Sequence, residues 1–300
     1  MITYGKFDKA SFANNLIVTD ENLQRLYGIV GDNVYALPCG EQAKSFANAE
    51  ALCRWFLAKG LTRNGHVVAV GGGSVGDVTG FATSIFMRGV DLTIVPTTLL
   101  AMVDSGIGGK TAINLDGVKN VVGSFVHADT FIDVGFLHTL DDEQMLSGMG
   151  EITKYRMLGV DVDVADIGGT VRACAEYKQN LCEMDFYDKG LRHALNCGHT
   201  IGHALELACD IPHGVAVADG LYYECEIAHA MGLCGDEYRV RWQNEIKSHF
   251  PLYKVTISLL KAVKYDKKNV DGNTIGFALP TENGAKNVNL TFDEVAEILC

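Results

Sequence analysis

The stretch His66–Asp77 (HVVAVGGGSVGD) constrains the fold more than any other. His66–Val70 is a continuous apolar, valine-rich run, as expected of a strand buried on both faces of a parallel sheet. It runs into Gly71, Gly72 and Gly73, and Val75–Phe86 then reads as a helix. Glycines at a strand-to-helix turn let the backbone approach a pyrophosphate closely. The helix N-terminus adds free N–H groups and the positive end of its dipole. The spacing is not G-x-G-x-x-G, so this loop alone is compatible with a nucleotide site or with a tight turn that holds nothing.

Similar alternation surrounds it. Asn15–Thr19, Val34–Leu37 and Leu92–Pro96 read as short strands. Ala43–Ala58 has helical spacing, with Phe46, Ala49, Leu52, Cys53 and Phe56 on one face. From about Leu146 the strand signals thin out. Helical periodicity takes over at Val171–Met184, Lys189–Cys209, Ala216–Met231 and Val240–Ser248, with a short strand pair near Thr274–Leu279. The expectation is an α/β domain over residues 1–145, with a Rossmann-like parallel sheet, and an all-α domain over 146–300. A chain of 300 residues suits two domains.

The net charge of −12 makes nucleic acid a poor partner, since that affinity comes from Lys and Arg neutralising phosphates. An anionic substrate would need cations gathered locally. The chain opens without a basic-then-apolar leader, and no apolar run is long enough to span a membrane. Its nine cysteines form no C-x-x-C pair, which suits reduced thiols. A cytoplasmic protein without a membrane partner is expected.

Two further patterns carry chemistry. Arg192, Asn196, His199 and His203 fall on one stripe if Lys189–Cys209 is a continuous helix. Histidines at i and i+4 suit a divalent metal. Gly198 and Gly202 would let another element pack closely on a neighbouring face. His213, after Pro212, reads as a loop residue with no role that spacing alone would assign. The second pattern is a scatter of charged and polar groups: Arg88, Asp104, Lys110, Lys119, Asn120, Glu151, Lys154 and Lys178. Asp104–Lys110 is a glycine-rich loop ending in Lys, able to cradle a phosphate or carboxylate without being a Walker loop. Glu151 and Lys154 sit three apart in an apolar stretch.

Taken in order, these segments resemble the 3-dehydroquinate synthase family. The matching stretches are TDEN (19–22), GEQAKS (40–45), GGGSVGD (71–77), RG (88–89), VPTTLLAMVDSGIGGKTAIN (95–114), KN (119–120), GEITK (150–154), LRHALNCGHTIGHALE (191–206), HG (213–214) and DKK (266–268). The resemblance implies zinc, or cobalt, on Glu151, His199 and His213, with His203 beside the reacting centre rather than on the metal. It implies NAD on Asp20, Asn22, Glu41, Lys44, Gly72, Gly73, Ser74, Val75, Asp77, Thr97, Thr98 and Thr139, with Asp104, Lys110 and Lys119 close by. Substrate contacts are implied for Arg88, Asp104, Lys110, Lys119, Asn120, Lys154, Lys178, Arg192, Asn196, His203 and one of Lys267 or Lys268.

The implied reaction closes 3-deoxy-D-arabino-heptulosonate 7-phosphate into 3-dehydroquinate with loss of phosphate, within the shikimate pathway to the aromatic amino acids. Transient oxidation by NAD makes a ketone that acidifies the neighbouring C–H. Phosphate leaves, the hydride returns, and an aldol step closes the ring. Members are commonly homodimers, with the arginine at Arg88 near the partner's site. Other sugar-phosphate cyclases tend to alter the positions of Lys178, Arg192 and Asn196, all present here. A metal-dependent polyol dehydrogenase would share the GGGS loop without needing Arg88, Lys110, Lys119 and Asn120 together. A non-catalytic relative would have lost site residues, and none is lost. The chain departs from the family at Val215, where an acid is usual, and at Arg156, where a small residue is common. The segment between His203 and His213 is compact. Few residues precede TDEN, so a thinner edge to the first sheet is expected.

Overall fold

Ten strands and ten helices follow one another along the described residues of the computed structural model, 1–263 and 274–300; Lys267 and Lys268 lie outside them. In the first half these are β1 (Ile2–Tyr4), β2 (Leu16–Asp20), α1 (Glu21–Tyr27), β3 (Val34–Leu37), α2 (Phe46–Ala58), β4 (His66–Gly71), α3 (Gly73–Ile85), β5 (Asp91–Pro96), β6 (Lys110–Leu115), β7 (Val118–Phe125) and β8 (Asp129–Ile132). The second half holds α4 (Asp142–Met157), α5 (Ile167–Met184), α6 (His199–Cys209), α7 (His213–Ala230), α8 (Asp236–His249), α9 (Ile257–Val263), β9 (Thr274–Thr281), β10 (Gly284–Thr291) and α10 (Phe292–Leu299).

The chain divides into two units. The first comprises Met1–Asp141 and Lys178–Tyr187; the second comprises Asp142–Tyr177 and Asp188–Cys300. The end of α5 therefore belongs with the first unit, something a single cut in the sequence cannot express.

The first unit is built on a six-stranded sheet in the order β1-β8-β5-β4-β2-β3, and every pairing is parallel. Val67, Val68, Ala69 and Val70 of β4 are all fully buried, as a strand covered on both faces requires. Chain direction across the sheet reverses between β2 and β4: β3 lies on one side of this pair, β5 and β8 on the other. In open α/β sheets this switch point, at the carboxyl ends of the strands, is where ligands bind. Here those ends are Asp20 and Gly71. One edge is the short β1, only three residues long. The glycine-rich segment after β5 begins as a π-helical turn, Ala101–Ser105, and leads into the antiparallel β6–β7 hairpin, an element the sequence pattern did not single out.

In the second unit α7 is the central helix. It packs against α4, α6 and α8, and twelve of its residues are buried. Small residues set how closely these helices approach. A Cβ on Gly150 of α4 would lie 1.8 Å from the Gly214 carbonyl oxygen, and one on Gly214 would lie 1.7 Å from that of Ser147. On the other side, a Cβ on Gly220 would meet the Gly198 carbonyl at 1.8 Å, and one on Gly202 the Ala216 carbonyl at 2.8 Å. The backbones of α4, α6 and α7 are thus nearly in contact. The second unit is not purely helical: β9 and β10 form a two-stranded antiparallel hairpin.

Candidate active site

The close helix crossings bring three side chains from three helices together. Glu151 of α4 is completely buried. Its Oε1 lies 3.6 Å from His199 Nε2 of α6 and 3.2 Å from His213 Nε2 of α7. Two donors bonded to a tetrahedral zinc at about 2.1 Å stand roughly 3.4 Å apart, so these separations leave room for one shared ion. The other nitrogen of each imidazole points outward to an acceptor. His199 Nδ1 lies 3.0 Å from the Cys197 carbonyl oxygen, and His213 Nδ1 lies 2.8 Å from Glu206 Oε2. A carbonyl or a carboxylate can only accept, so both Nδ1 atoms carry a proton, which leaves Nε2 of each ring as the nitrogen able to offer a lone pair to an ion beside Glu151. Outer hydrogen bonds of this kind fix the tautomer of metal-binding histidines. The donor set and its surroundings fit a divalent ion. Burial works to lower the His213 pKa, but hydrogen bonds and charges from Glu151 and Glu206 together push it up to about 9. A cation entering here would displace that proton.

His213 corrects the sequence reading. It is not in a loop but is the first residue of α7, following Pro212. Proline suits the start of a helix because its fixed φ is compatible with the turn and a free N–H is not needed there. The stripe Arg192–Asn196–His199–His203 is corrected too. Leu191–Asn196 is a separate 3-10 turn, and the chain breaks at Cys197 (ψ 133°) and Gly198 (φ +78°) before α6 begins. A left-handed residue cannot continue a right-handed helix. His199 and His203 remain on one helix, with ring centroids 5.4 Å apart, and His203 lies 5.8 Å from His213.

Lys154, one turn on from Glu151, is also buried and places its ammonium 2.5 Å from Glu151 Oε2. Arg192 is buried as well. Glu206 was not singled out by sequence spacing, although its place three residues after His203 on the same helix was the available signal. Arg156, at the end of α4, pairs with Glu245 of α8 and lies over the Trp242 ring.

The first unit holds the residues implied for the nucleotide. Asp20 ends β2 and caps α1, its Oδ1 accepting the Leu23 N–H at 2.9 Å, and burial pushes its carboxyl pKa up. Asn22 accepts from Arg25 at 2.7 Å. Gly72 precedes α3, where Gly73, Ser74, Val75 and Asp77 occupy the first turns. A Cβ on Gly72 would come within 3.0 Å of the Thr98 methyl, and one on Gly73 within 3.0 Å of Ser105 Oγ. Thr97 is held by its N–H donating to the Gly71 carbonyl. Lys44 is buried and lies 2.7 Å from Asp77 Oδ2. Burial pushes the Asp77 carboxyl up, and the Lys44 ammonium pulls it back. The same ammonium donates to Asn120 Oδ1 and lies 3.7 Å from Glu41. Asn114, also missed in the sequence, links this group by donating to Glu41 and accepting from the Asn120 N–H. Thr139 pairs with the Tyr27 hydroxyl at 2.6 Å.

Four of the remaining cations sit at distinct features of the same unit. Lys178 donates to the Asp104 carbonyl at 2.8 Å and pairs with its carboxylate at 3.0 Å. Lys110 opens β6 and Lys119 lies on β7. Arg88 (φ +66°) follows Met87 (φ +49°), two successive left-handed residues and a site of local backbone strain.

Comparisons with known proteins show the family. Residues 34–147 match the family model for the 3-dehydroquinate synthase N-terminal domain, and residues 139–269 match that for the C-terminal domain. A 3-dehydroquinate synthase of Alkaliphilus metalliredigens is 37% identical, over 95% of this chain and 88% of the relative. One from Enterococcus faecalis is 36% identical, over 94% and 88%. Among solved structures, a 2-deoxy-scyllo-inosose synthase complexed with carbaglucose-6-phosphate, NAD+ and Co2+ superposes with a TM-score of 0.83 at 25% identity, covering 99% of this chain and 95% of that one. The chain belongs to the 3-dehydroquinate synthase family.

Proposed function

We propose that this protein is a 3-dehydroquinate synthase, a carbon–oxygen lyase that converts 3-deoxy-D-arabino-heptulosonate 7-phosphate to 3-dehydroquinate and phosphate, using NAD and zinc or cobalt. Beyond family membership, one observation carries this reading: Glu151, His199 and His213 converge with both imidazoles oriented by outward hydrogen bonds. The related inosose synthase was solved with NAD+ and Co2+. The bound ion supplies Lewis acidity that lowers a hydroxyl's pKa, and NAD supplies a hydride acceptor restored within the turnover.

The chain's own residues bind and orient. Glu151, His199 and His213 hold the ion, and Lys154 balances the buried Glu151 charge. Asp20, the Gly72–Gly73 turn and the Lys44–Asp77 pair form the nucleotide side. Arg192 offers a planar fork suited to a carboxylate, with Asn196 as a neutral partner. Lys110, Lys119, Asn120 and Arg88 are assigned to anionic and hydroxyl groups of the substrate, and Lys178 is held ready by Asp104. His203, beside the histidine pair, is assigned to proton transfer at the phosphate-bearing end. Cytoplasmic location and a homodimer belong to the same proposal. No cysteine is in a disulfide, and no helix among the described residues is long and apolar enough to cross a membrane.

The test is a panel of sugar phosphates offered to purified enzyme with NAD and zinc or cobalt. Phosphate release is expected from the heptulosonate phosphate and not from hexose phosphates. Release only from another sugar phosphate would make the chain a sister cyclase. His199→Ala should abolish both activity and metal stoichiometry, and retained zinc would contradict the ligand assignment.

A further inference from the structure

Helix α6 begins without a cap of its own. Its N-cap is Gly198, which has no side chain to offer and cannot be replaced by a residue that has one. A Cβ there would lie 2.6 Å from the Val217 carbonyl oxygen and 2.7 Å from Leu221 Cγ. Four N–H groups at a helix start ordinarily need partners. Here a carboxylate from the neighbouring helix supplies partners for three of them. Glu224 of α7 is completely buried. Its Oε2 accepts the Gly198 N–H at 2.6 Å, and its Oε1 accepts those of Thr200 and Ile201 at 3.2 and 3.3 Å.

The Gly198 N–H belongs to the Cys197–Gly198 peptide, and the carbonyl of that peptide accepts from His199 Nδ1 at 3.0 Å. The peptide is trans, so its N–H and C=O point in opposite directions. We propose that Glu224 is a positioning residue for His199, acting through the Cys197–Gly198 peptide. A negative charge on the N–H end polarises the carbonyl at the other end, making it a stronger acceptor. Hydrogen bonds in such a chain reinforce one another. The effect is twofold: Nδ1 is held in its N–H form, so Nε2 is the nitrogen left to offer a lone pair to an ion, and the imidazole becomes a more basic ligand. His213 receives its orienting carboxylate, Glu206, directly. His199 receives one through a peptide unit, so each histidine of the centre has a carboxylate behind it.

This inference rests on the metal reading above, and its test separates the two. Zinc affinity is measured by competition with a chromophoric chelator for wild type, Glu224→Gln and Glu224→Asp, together with the visible spectrum of the cobalt-loaded proteins. Outer-sphere partners of metal ligands are worth about 10–100-fold in affinity. Glu224→Gln, which keeps the shape but loses the charge and turns one of the two accepting oxygens into an NH2 donor, should bind zinc about 10–100-fold more weakly with an altered cobalt spectrum, and Glu224→Asp should recover part of the loss. A folded Glu224→Gln that binds zinc as wild type does would overturn the proposal even if its melting temperature fell, since a plain helix cap would act only on stability. Wild type that binds no zinc would remove both readings. If Glu224→Gln does not fold, NMR of the metal-free wild type and Glu224→Asp decides. The proposal requires His199 as the Nδ1–H tautomer and a Gly198 amide proton shifted far downfield, with both signals moving in Glu224→Asp. An Nε2–H tautomer, or an ordinary Gly198 amide shift, would contradict it.

Discussion

At the scale of single residues, the second unit shows carboxylates serving three different ends on adjacent helices. Glu151 faces the histidine pair, Glu206 stands behind one of those histidines, and Asp219 is buried with no cation paired to it among the salt bridges of the described residues. Removing the charge of Glu206 leaves His213 with at most a neutral amide oxygen in place of its orienting carboxylate. Glu206→Gln should therefore weaken zinc binding about 10–100-fold, as read by chelator competition. Asp219 accepts the Tyr253 N–H at 2.8 Å, but burial pushes its pKa from 3.8 up to about 7. A carboxyl whose folded pKa is raised favours the folded state fully below its unfolded pKa. That contribution is lost as pH rises from about 4 to about 7. Asp219→Asn keeps an acceptor for Tyr253 and does not titrate. Its stability relative to wild type should therefore grow across that window and level off above pH 7, by up to roughly 4 kcal/mol. Denaturant midpoints at a series of pH values check this; a difference independent of pH would contradict it.

At the scale of elements, the helix crossings create the site. Gly150 and Gly214 let α4 and α7 approach until a methyl group on either would collide with backbone. Gly150→Ala should cost about 3 kcal/mol or more, because the obstruction is a carbonyl rather than a flexible side chain. It should also lower zinc affinity by separating Glu151 from His213. Denaturant melts and zinc titration of the variant check both effects.

Strands such as β4 and β5 were legible in the sequence because a parallel strand buried on both faces has to be apolar throughout. Helix α3 was legible because three glycines mark its start. The Gly198–Gly202 spacing correctly announced a close neighbour, which proved to be α7. The break at Cys197 and Gly198 was not legible, since periodicity continues in register across a 3-10 turn and the helix after it. His213 was hidden for a different reason: its place beside Glu151 depends on where α7 crosses α4, a long-range fact that no local spacing encodes. Only the family resemblance supplied it. The β6–β7 hairpin escaped because β7 is mostly exposed and so lacks an apolar run.

At the scale of the whole molecule, the two units are not two consecutive lengths of chain. The first needs Lys178–Tyr187, which returns to it after α4 and most of α5. That return supplies Lys178 to Asp104 and stacks Phe186 on His127 at 4.2 Å, with Phe125 and Tyr187 alongside. A fragment of residues 1–141 should therefore fold less stably than the same unit in the intact chain and expose the Phe125–His127 surface. Dye binding and thermal melts of the fragment check this; an equally stable fragment would contradict it.

The overall charge of −12 repels anions, so recognition of a phosphorylated acid has to come from local cations. In the proposed reaction NAD is reduced and reoxidised within one turnover, so the chemistry is redox-neutral overall. The most direct measurement follows phosphate, 3-dehydroquinate and NADH together in one reaction of the metal-loaded enzyme with the heptulosonate phosphate and NAD. The account predicts equal amounts of phosphate and 3-dehydroquinate with no net NADH. NADH accumulating with turnover, without phosphate, would contradict it and make the protein a dehydrogenase.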